Sequence, residues 1–427
     1  MKSYQKTIFT RQIFIALVTY LSTTMLDASV NPPFNEDALN RLSMLSINSP
    51  SRPSSITLEN PANTSFSPLL HMGEEALTHA PRKTVRILSL DGGGARGIVE
   101  AEIIRLLEER LNELSPSEDH VYLSNAFHLI GGTSAGALLA TFLTTPSKPK
   151  SKQPKYTAEN LFSIIHRRLP DMFEPIYTSL GGRLGTRYKV QKLHSVIEEY
   201  LGEDKTNNTT THTAIFTYDI NMRIPKIITS WDREVFIKAD VTTASSAAPT
   251  YFDPCVVSNV SKDTNPQTPR GQRTYTLIDG GVVANNPTFD LVLEAKKLYP
   301  EAEIFEIVSI GSGRANKPLF IENMHNAGIL SWGPHLSGMF TEAQSLQTDK
   351  YCKSHYFNSY TRLTPLLSRD DTKMDNVEQT NIETILCATR TYFNSEKEKV
   401  DILIERLLKP KTVFQERILT PKKAQAV

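Results

Sequence analysis

The chain has few cysteines and almost no net charge, and each scarcity excludes a class of protein. Only three cysteines occur in 427 residues, and no two form a Cys-x-x-Cys pair. Their odd number and wide spacing argue against a disulfide framework or a zinc site, so we expect Cys255, Cys352 and Cys387 to be small buried apolar residues. The 47 Lys and Arg residues oppose 46 Asp and Glu residues, which gives a formal charge of +1. That balance predicts no nucleic-acid partner and no global attraction to an anionic membrane.

Apolar runs long enough to span a bilayer are missing as well. Ile13–Leu21, behind three basic residues, falls short of the roughly 20 residues that a transmembrane helix needs. The run is typical of a signal-peptide core, so we predict a signal peptide over residues 1–28 and export of the protein. The alternative is a cytoplasmic protein with peripheral membrane contact. Residues 29–83 are rich in Pro, Ser and Asn, which predicts a mostly disordered linker.

The most informative feature is a glycine-flanked serine. Gly132-Thr133-Ser134-Ala135-Gly136 follows the apolar run 126–130 and precedes the small-residue stretch 137–142. This pattern predicts a strand, a sharp turn and a helix. Such a turn lifts the serine Oγ clear of the sheet, and the glycines Gly132 and Gly136 let neighbouring chain segments approach closely. The free NH groups at the start of the helix favour an anion. Ser134 is therefore a candidate nucleophile.

A second strand, loop and helix precede this turn. Thr84–Leu90 alternates and is rich in β-branched residues, and it leads into Asp91-Gly92-Gly93-Gly94-Ala95-Arg96-Gly97. Helical spacing follows over 98–114, with the aliphatic residues on one broad face. Four glutamates are predicted on the other faces: Glu100, Glu102, Glu108 and Glu109.

Two kinds of chemistry use such a glycine loop. Consecutive glycines expose backbone NH groups, which hold either a pyrophosphate or the oxyanion of an acyl-transfer intermediate. Gly92, Gly94 and Gly97 match the dinucleotide pattern G-x-G-x-x-G. A dinucleotide site also needs a second strand ending in an acidic residue about 20 positions further on. At that distance residues 115–119 have the composition of a turn, so the oxyanion interpretation is favoured.

A third motif places an aspartate at the end of a strand. Thr274–Ile278 has the pattern of a short strand and leads into Asp279-Gly280-Gly281. A carboxylate at a strand end followed by glycines has little steric shielding from a neighbouring strand tip. The alternative is an ordinary Asp-Gly turn.

Taken in order, these three motifs resemble those of the patatin-like phospholipases. Two further stretches match the family, Ala244–Phe252 before the aspartate strand and Val308–Gly313 after it. Together with the alternation of strands and helices, the resemblance implies an α/β fold, a three-layer sheet with helices on both faces. The expected parts are a catalytic domain over 84–313, a helical part over 314–410 packing on the same domain, and a tail over 411–427.

The resemblance also implies roles for individual residues. Ser134 would be the nucleophile and Asp279 the general base of a dyad that uses no histidine, metal or cofactor. The oxyanion donors would be the NH groups of Gly92, Gly93 and Gly94. Arg96 matches the basic position of the family's glycine loop and would anchor that loop or meet a phosphate. The supporting glycines would be Gly132, Gly136 and Gly280.

These roles imply a lipid acyl hydrolase of the phospholipase A or lysophospholipase type. Its substrate would be a phospholipid or another lipid ester, met in transient contact with a membrane surface. Aspartate is a poor base at its usual pKa of about 3.9, so we expect the site to be partly desolvated. Two alternatives remain open: a Ser-Asp-His triad using His325, His335 or His355, and an inactive lipid- or partner-binding module.

Segments outside the motifs carry further expectations. Four lysines in 148–155 predict a solvated loop, with attraction of anionic headgroups near the site mouth as the alternative. By the resemblance, a helical insertion over 156–201 and the C-terminal helices would wall the acyl-chain site. The C-terminal patterns predict apolar helical spacing over 329–346, a strand over 354–357, and helices over 381–393 and 396–408.

Overall fold

The computed structural model describes residues 82–179, 181, 185–261, 274–315, 328–356, 359–368 and 373–414. All of them lie in a compact unit that starts at Leu77, and the unit Met1–Ala76 lies outside the described residues. The predicted signal peptide and nearly all of the predicted linker therefore remain predictions, as do the domain boundaries.

An eight-stranded mixed sheet forms the middle layer. Its order is β5-β6-β3-β2-β1-β7-β9, and β4 pairs with the free side of β3. The strands from β3 to β9 in this order run parallel, whereas β4 and β6 are antiparallel to β3. The strands are β1 Thr84–Leu90, β2 Leu129–Thr133, β3 His212–Asp219, β4 Ile224–Thr229, β5 Cys255–Ser258, β6 Thr274–Asp279, β7 Ile304–Ile310, β8 Arg314–Ala315, β9 Tyr360–Leu363 and β10 Leu366–Leu367, of which β8 and β10 form a separate pair.

Helices cover both faces of the sheet. Leu88 and Leu90 of β1 face one core, whereas Val85 and Ile87 face the other, as alternation along a buried strand requires. This arrangement confirms the predicted three-layer α/β fold. The helices are α1 Gly97–Leu114, α2 Ala135–Thr144, α3 Ala158–Met172, α4 Val190–Leu201, α5 Lys238–Ser245, α6 Gly281–Ala284, α7 Thr288–Leu298, α8 Ile329–His355, α9 Gln379–Ser395 and α10 Lys397–Leu408. Among the described residues, no helix combines the length and apolarity needed to cross a bilayer.

Helix α1 differs from the expectation that its glutamates lie on polar faces. Glu100 and Glu102 are completely buried and Glu108 nearly so. Helices α3, α9 and α10 pack on α1 from outside the sheet, which leaves little of its surface to solvent. The buried carboxylates replace water with protein partners: Glu108, for example, accepts the NH groups of Leu123 and Ala158 at 2.7 Å each.

The C-terminal part contributes to the sheet as well as covering it. Strand β9 pairs in parallel with β7, so this part extends the sheet at a position later than the strand expected over 354–357. The strand predicted over 354–357 is wrong at its start, because α8 continues to His355. The helices predicted over 381–393 and 396–408 are confirmed as α9 and α10.

The cysteines differ in their surroundings. Cys352 is buried, as expected, whereas Cys255 is half-buried and Cys387 is exposed. Cys255 begins the edge strand β5, and Cys387 lies on the solvent side of α9. The prediction that all three cysteines are buried was therefore wrong.

Candidate active site

Ser134 lies in a strained turn between β2 and α2. Its backbone has φ 55° and ψ −122°, a conformation that non-glycine residues rarely adopt. The flanking glycines are required by contact: a Cβ on Gly136 would lie 2.4 Å from the Leu90 carbonyl oxygen, and one on Gly132 would lie 2.2 Å from the Gly136 carbonyl oxygen. The predicted strand, sharp turn and helix are therefore present, with the serine at the tip.

Strand β3 brings this serine and the predicted aspartate together. Thr133 pairs with Phe216 of β3, and Asp279 pairs with the next β3 residue, Thr217. Because β4 takes the other side of β3, strands β2 and β6 meet end to end along one side. Ser134 follows Thr133 directly, so the hydroxyl and the carboxylate line the same cavity at this junction.

Asp279 has the environment of a strengthened base. Its side chain is buried, and this desolvation raises the pKa of Asp279 to about 6. The NH of Gly281, which donates to Asp279 Oδ1 at 2.7 Å, and the Ser134 hydroxyl partly oppose the rise by stabilising the carboxylate. The carboxylate is therefore ionised at neutral pH, yet it binds a proton more strongly than an ordinary aspartate does.

Two residues at the end of α5, Ser245 and Ala247, contact the serine turn and the aspartate, although the motifs gave neither of them a role. The Ser245 hydroxyl accepts the NH of Ser134 at 3.0 Å and donates to the Phe216 carbonyl at 2.7 Å. Two residues on, the Ala247 carbonyl accepts the NH of Asp279 at 3.1 Å. The end of α5 thus fixes the serine turn and the aspartate relative to each other. The only sequence feature that pointed to this contact was the run Ala244–Phe252, which matches the family.

The three loop glycines differ in what their NH groups contact. The Gly92 NH donates to the Asn285 carbonyl at 2.8 Å, so it is already engaged. The NH groups of Gly93 and Gly94 have no acceptor among the described residues. The Asn285 amide donates back to the Gly92 carbonyl at 3.3 Å and holds the loop from its other side. Gly280 is needed for packing, because a Cβ there would lie 2.3 Å from the Phe216 carbonyl oxygen.

The C-terminal part also holds the glycine loop. Arg362 of β9 donates to both carboxylate oxygens of Asp91, at 2.8 and 2.5 Å, and both side chains are over 90% buried. On the loop's other flank, the Ala95 NH donates to the Met374 carbonyl at 2.8 Å. No sequence motif marked Arg362 or Met374, because each lies hundreds of residues from its partner.

Known proteins are similar to this chain over most of its length. The family model for patatin-like phospholipases matches residues 88–292. Patatin-like protein 2 of Oryza sativa subsp. indica is 29% identical over 351 residues, which cover 71% of this chain and 84% of its own. Patatin-like protein 4 of Arabidopsis thaliana is 30% identical over 341 residues, covering 70% of this chain and 81% of its own. This chain belongs to the patatin-like phospholipase family. Patatin-15 of Solanum tuberosum is similar too, at 29% identity over 345 residues, covering 74% of this chain and 85% of its own.

In this patatin-like chain, Ser134 and Asp279 open into an apolar cavity of about 390 Å³. Apolar side chains from α2, from α3 and the residue after it, from α4 and from the segment after α5 line this cavity. They are Leu138, Leu139, Ile165, Leu169, Met172, Phe173, Leu193 and Phe252. The insertion predicted over 156–201 therefore contributes directly to this cavity. No lysine of the 148–155 segment is among its described lining residues.

A second, polar cavity of about 400 Å³ shares the lining residues Asn285 and Met374 with the apolar cavity. Arg96, Arg314, Arg362 and Lys373 line it, together with acidic residues and part of α8. Arg96 is partly exposed as a residue, but its Nε atom is buried without a hydrogen-bond partner. Burial lowers the pKa of Arg96, and the nearby carboxylates of Glu342, Glu100 and Asp91 oppose that change.

The histidines of the alternative triad lie elsewhere in the described part of the chain. His335 lines the polar cavity, and His355 is exposed at the end of α8, stacked on Tyr351 with ring centroids 3.9 Å apart. His325 lies outside the described residues. No described residue that lines the apolar cavity is a histidine.

Proposed function

We propose that this protein is a lipid acyl hydrolase that cleaves carboxylic esters through an acyl-Ser134 intermediate. The observation that carries the proposal is a serine in a strained turn beside a desolvated aspartate, both opening into an apolar cavity. Family membership supports hydrolysis of lipid esters. An apolar cavity suits an acyl chain, because its lining loses no hydrogen bonds when hydrocarbon replaces water.

In the proposed first step, Asp279 accepts the Ser134 proton while the serine oxygen attacks the ester carbonyl carbon. The resulting oxyanion accepts hydrogen bonds from the NH groups of Gly93 and Gly94. Since the Gly92 NH already donates to Asn285, we leave it out of the donor set. Collapse of the intermediate breaks the bond to the leaving alcohol, which takes the proton from Asp279.

The second step regenerates the enzyme. A water molecule attacks the acyl-Ser134 carbonyl while Asp279 accepts one of its protons. Breakdown of the second tetrahedral intermediate releases a fatty acid and returns the proton to the serine oxygen. Esters suit this dyad better than amides, because an alkoxide leaves with less protonation than an amine does.

Transient membrane contact is part of the proposal. Val282 and Phe340 line the apolar cavity and are also 50% and 68% exposed. Large apolar side chains at a cavity mouth favour docking on a lipid surface. The lysine segment 148–155 lines neither of the two large cavities with its described residues, which favours its interpretation as a solvated loop.

The test is fatty-acid release from phospholipid vesicles and from a short-chain ester, with a metal chelator present. We expect Ser134→Ala to lower kcat by on the order of 10⁴-fold or more, as loss of a nucleophile does, and Asp279→Asn to be similarly inactive. Ser163→Ala, an exposed serine of α3, is the matched control and should keep full activity. An active Asp279→Asn protein would contradict the dyad.

The same assay separates the alternatives. Loss of activity in any one of His325→Ala, His335→Ala and His355→Ala, with folding intact, would favour a triad. Inactivity of the unmodified protein on every lipid would favour the binding module.

A further inference from the structure

Ser312 lies in a glycine-flanked turn between β7 and β8, and the proposed mechanism gives it no role. Backbone hydrogen bonds hold the turn on both sides. The Gly311 NH donates to the Leu363 carbonyl at 2.9 Å, before Ser312. After it, the Arg314 NH donates to the Pro365 carbonyl at 2.9 Å. The buried Ser312 side chain is therefore carried by a fixed backbone.

The Ser312 hydroxyl contacts the glycine loop at one carbonyl. It donates to the Gly92 carbonyl oxygen at 2.9 Å, and the Asn285 amide donates to the same oxygen at 3.3 Å. The contact leaves no free space, since a Cβ added to Gly93 would lie 2.3 Å from both the Cβ and the Oγ of Ser312. Because this hydrogen bond is buried, water does not readily replace it when the hydroxyl is removed.

The Gly92 carbonyl and the Gly93 NH belong to one peptide unit. The unit is planar and trans, so its carbonyl oxygen and its NH point in opposite directions. A carbonyl held toward Ser312 therefore holds the NH away from Ser312. Ser312 lines the polar cavity and not the apolar one, whereas Gly93 and Ser134 line the apolar cavity. The Gly93 NH, which has no acceptor among the described residues, is one of the two proposed oxyanion donors.

The two proposed donors differ in what holds their peptide units. The Gly94 NH belongs to the peptide whose carbonyl, that of Gly93, accepts the Arg96 NH at 3.2 Å, a backbone contact. The closer donor to the Gly92 carbonyl is instead the side chain of Ser312. A hydrogen bond to a carbonyl also polarises its peptide and makes the NH a stronger donor. The Gly93 NH is therefore the oxyanion donor that depends on a side chain.

We propose that Ser312 is a positioning residue of the oxyanion site: its hydroxyl orients and polarises the peptide unit that presents the Gly93 NH. The inference rests on the proposed ester hydrolysis and adds to it a residue that acts through the glycine loop. Donors that are held in place before charge develops need no rearrangement in the transition state. Ser312 lies outside the matched family range 88–292.

The kinetic test removes the hydroxyl and keeps the side chain small. In Ser312→Ala we expect kcat for a short-chain ester to fall about tenfold, less than the roughly 10²–10³-fold that loss of an oxyanion donor itself costs. KM should stay within about twofold, because the lost support acts on charge that develops only after the ester has bound. Ser312→Cys keeps a side chain of similar shape but donates weakly, so it should lose a similar factor.

The matched control is Thr389→Val. Thr389 is also buried, and its hydroxyl donates to a carbonyl at 2.8 Å, but the acceptor is Ile385 within α9. The control therefore removes the same kind of hydrogen bond without touching the glycine loop, and it should change neither kcat nor KM. Circular dichroism and urea unfolding establish that each variant is folded under the assay conditions.

A spectroscopic test observes the same peptide without any substrate. Protein labelled with carbonyl-¹³C and ¹⁵N glycine gives carbonyl-to-amide NMR signals only from Gly-Gly bonds. The chain has five of them, at 92–93, 93–94, 131–132, 181–182 and 280–281. The 92–93 signal is the one that Gly92→Ala removes. In Ser312→Ala its carbonyl resonance should move upfield, because the Gly92 oxygen loses its closer donor, whereas Thr389→Val should leave it in place.

The outcomes separate this inference from the function on which it rests. An unchanged kcat in Ser312→Ala, a rise in KM that accounts for the loss, or an unmoved Gly92 carbonyl resonance overturns the positioning role even when the ester is hydrolysed. An equal loss of kcat in Thr389→Val overturns it as well. A loss in kcat together with a shifted resonance supports it. When the unmodified protein hydrolyses no ester, the proposed function fails, and the resonance alone decides whether Ser312 holds this peptide.

Discussion

The two cavities beside the glycine loop have nearly the same volume, about 390 and 400 Å³, but the buried carboxylate that lines each of them has different partners. Asp279 in the apolar cavity has no cationic partner among the described residues, and desolvation raises its pKa to about 6. Asp91 in the polar cavity is just as buried but receives both ends of the Arg362 guanidinium.

The two carboxylates are similarly buried and differ in that only Asp91 is paired with a cation. Without a cation, Asp279 becomes a group that can take up a proton near neutral pH. With one, Asp91 becomes a structural ion pair that ties the glycine loop to β9. The apolar cavity suits proton transfer, and the polar cavity suits holding charge in place.

Removal of the cation should give the largest effect. We expect Arg362→Met to lower the free energy of unfolding by about 3–5 kcal/mol, because it leaves the Asp91 carboxylate buried without compensation. Urea unfolding at neutral pH measures the loss. The control is Arg110→Met, which breaks an ion pair with Asp401 at the surface, where both side chains are over 20% exposed. Solvent screens that pair, so a loss equal to that of Arg362→Met would contradict the comparison.

The next effect concerns the apolar cavity. Leu193 of α4 lies in its wall, so Leu193→Trp should shorten the space for hydrocarbon. We expect kcat/KM for a sixteen-carbon ester to fall about tenfold, the change that 1.4 kcal/mol of lost contact produces, while a four-carbon ester is unaffected. Leu193→Ala should shift the preference toward longer chains. Equal losses of kcat/KM on short and long esters would mean that Leu193 supports the fold and does not determine the preferred acyl-chain length.

Local patterns explain why much of the site could be predicted from the sequence. The turn at Ser134 and the strand end at Asp279 each depend on a few adjacent residues, and glycine spacing encodes both. Their proximity does not follow from spacing, since it depends on Thr133 and Asp279 pairing with successive residues of β3. Only the family resemblance joined the two motifs in advance.

Contacts between distant parts of the chain could not be predicted, because local patterns do not determine which distant residues meet. Arg362 and Met374 act on the glycine loop from more than 270 positions away, and nothing in their own surroundings marks them. The buried glutamates of α1 could not be predicted either, because distant parts of the chain cover the faces that carry them. Periodicity identified the apolar face of that helix, but α9 and α10 cover its other faces, and those helices come almost 300 residues later.

The most direct test of the contrast between the two carboxylates is the pH dependence of activity. Asp279 must be ionised to accept the serine proton, and its pKa is raised to about 6. We therefore expect kcat/KM for a neutral short-chain ester to be half-maximal near pH 6, to fall about tenfold per pH unit below that, and to level off above pH 7. A profile still flat down to pH 5 would mean that the base has an ordinary carboxyl pKa.

The free energy of unfolding over the same pH range gives an independent check. Activity should rise as the pH passes about 6, whereas the contribution of Asp279 to stability should fall. A carboxyl whose pKa rises on folding binds its proton more tightly in the folded state. Protonated Asp279 therefore contributes stability below its unfolded pKa of 3.8, and that contribution is lost as the pH rises through about 6. Asp279→Asn cannot ionise, so it should be more stable than the unmodified protein above pH 6, and the difference should shrink toward pH 4. A difference that instead grows as the pH falls would mean that a cation compensates Asp279 as Arg362 does Asp91.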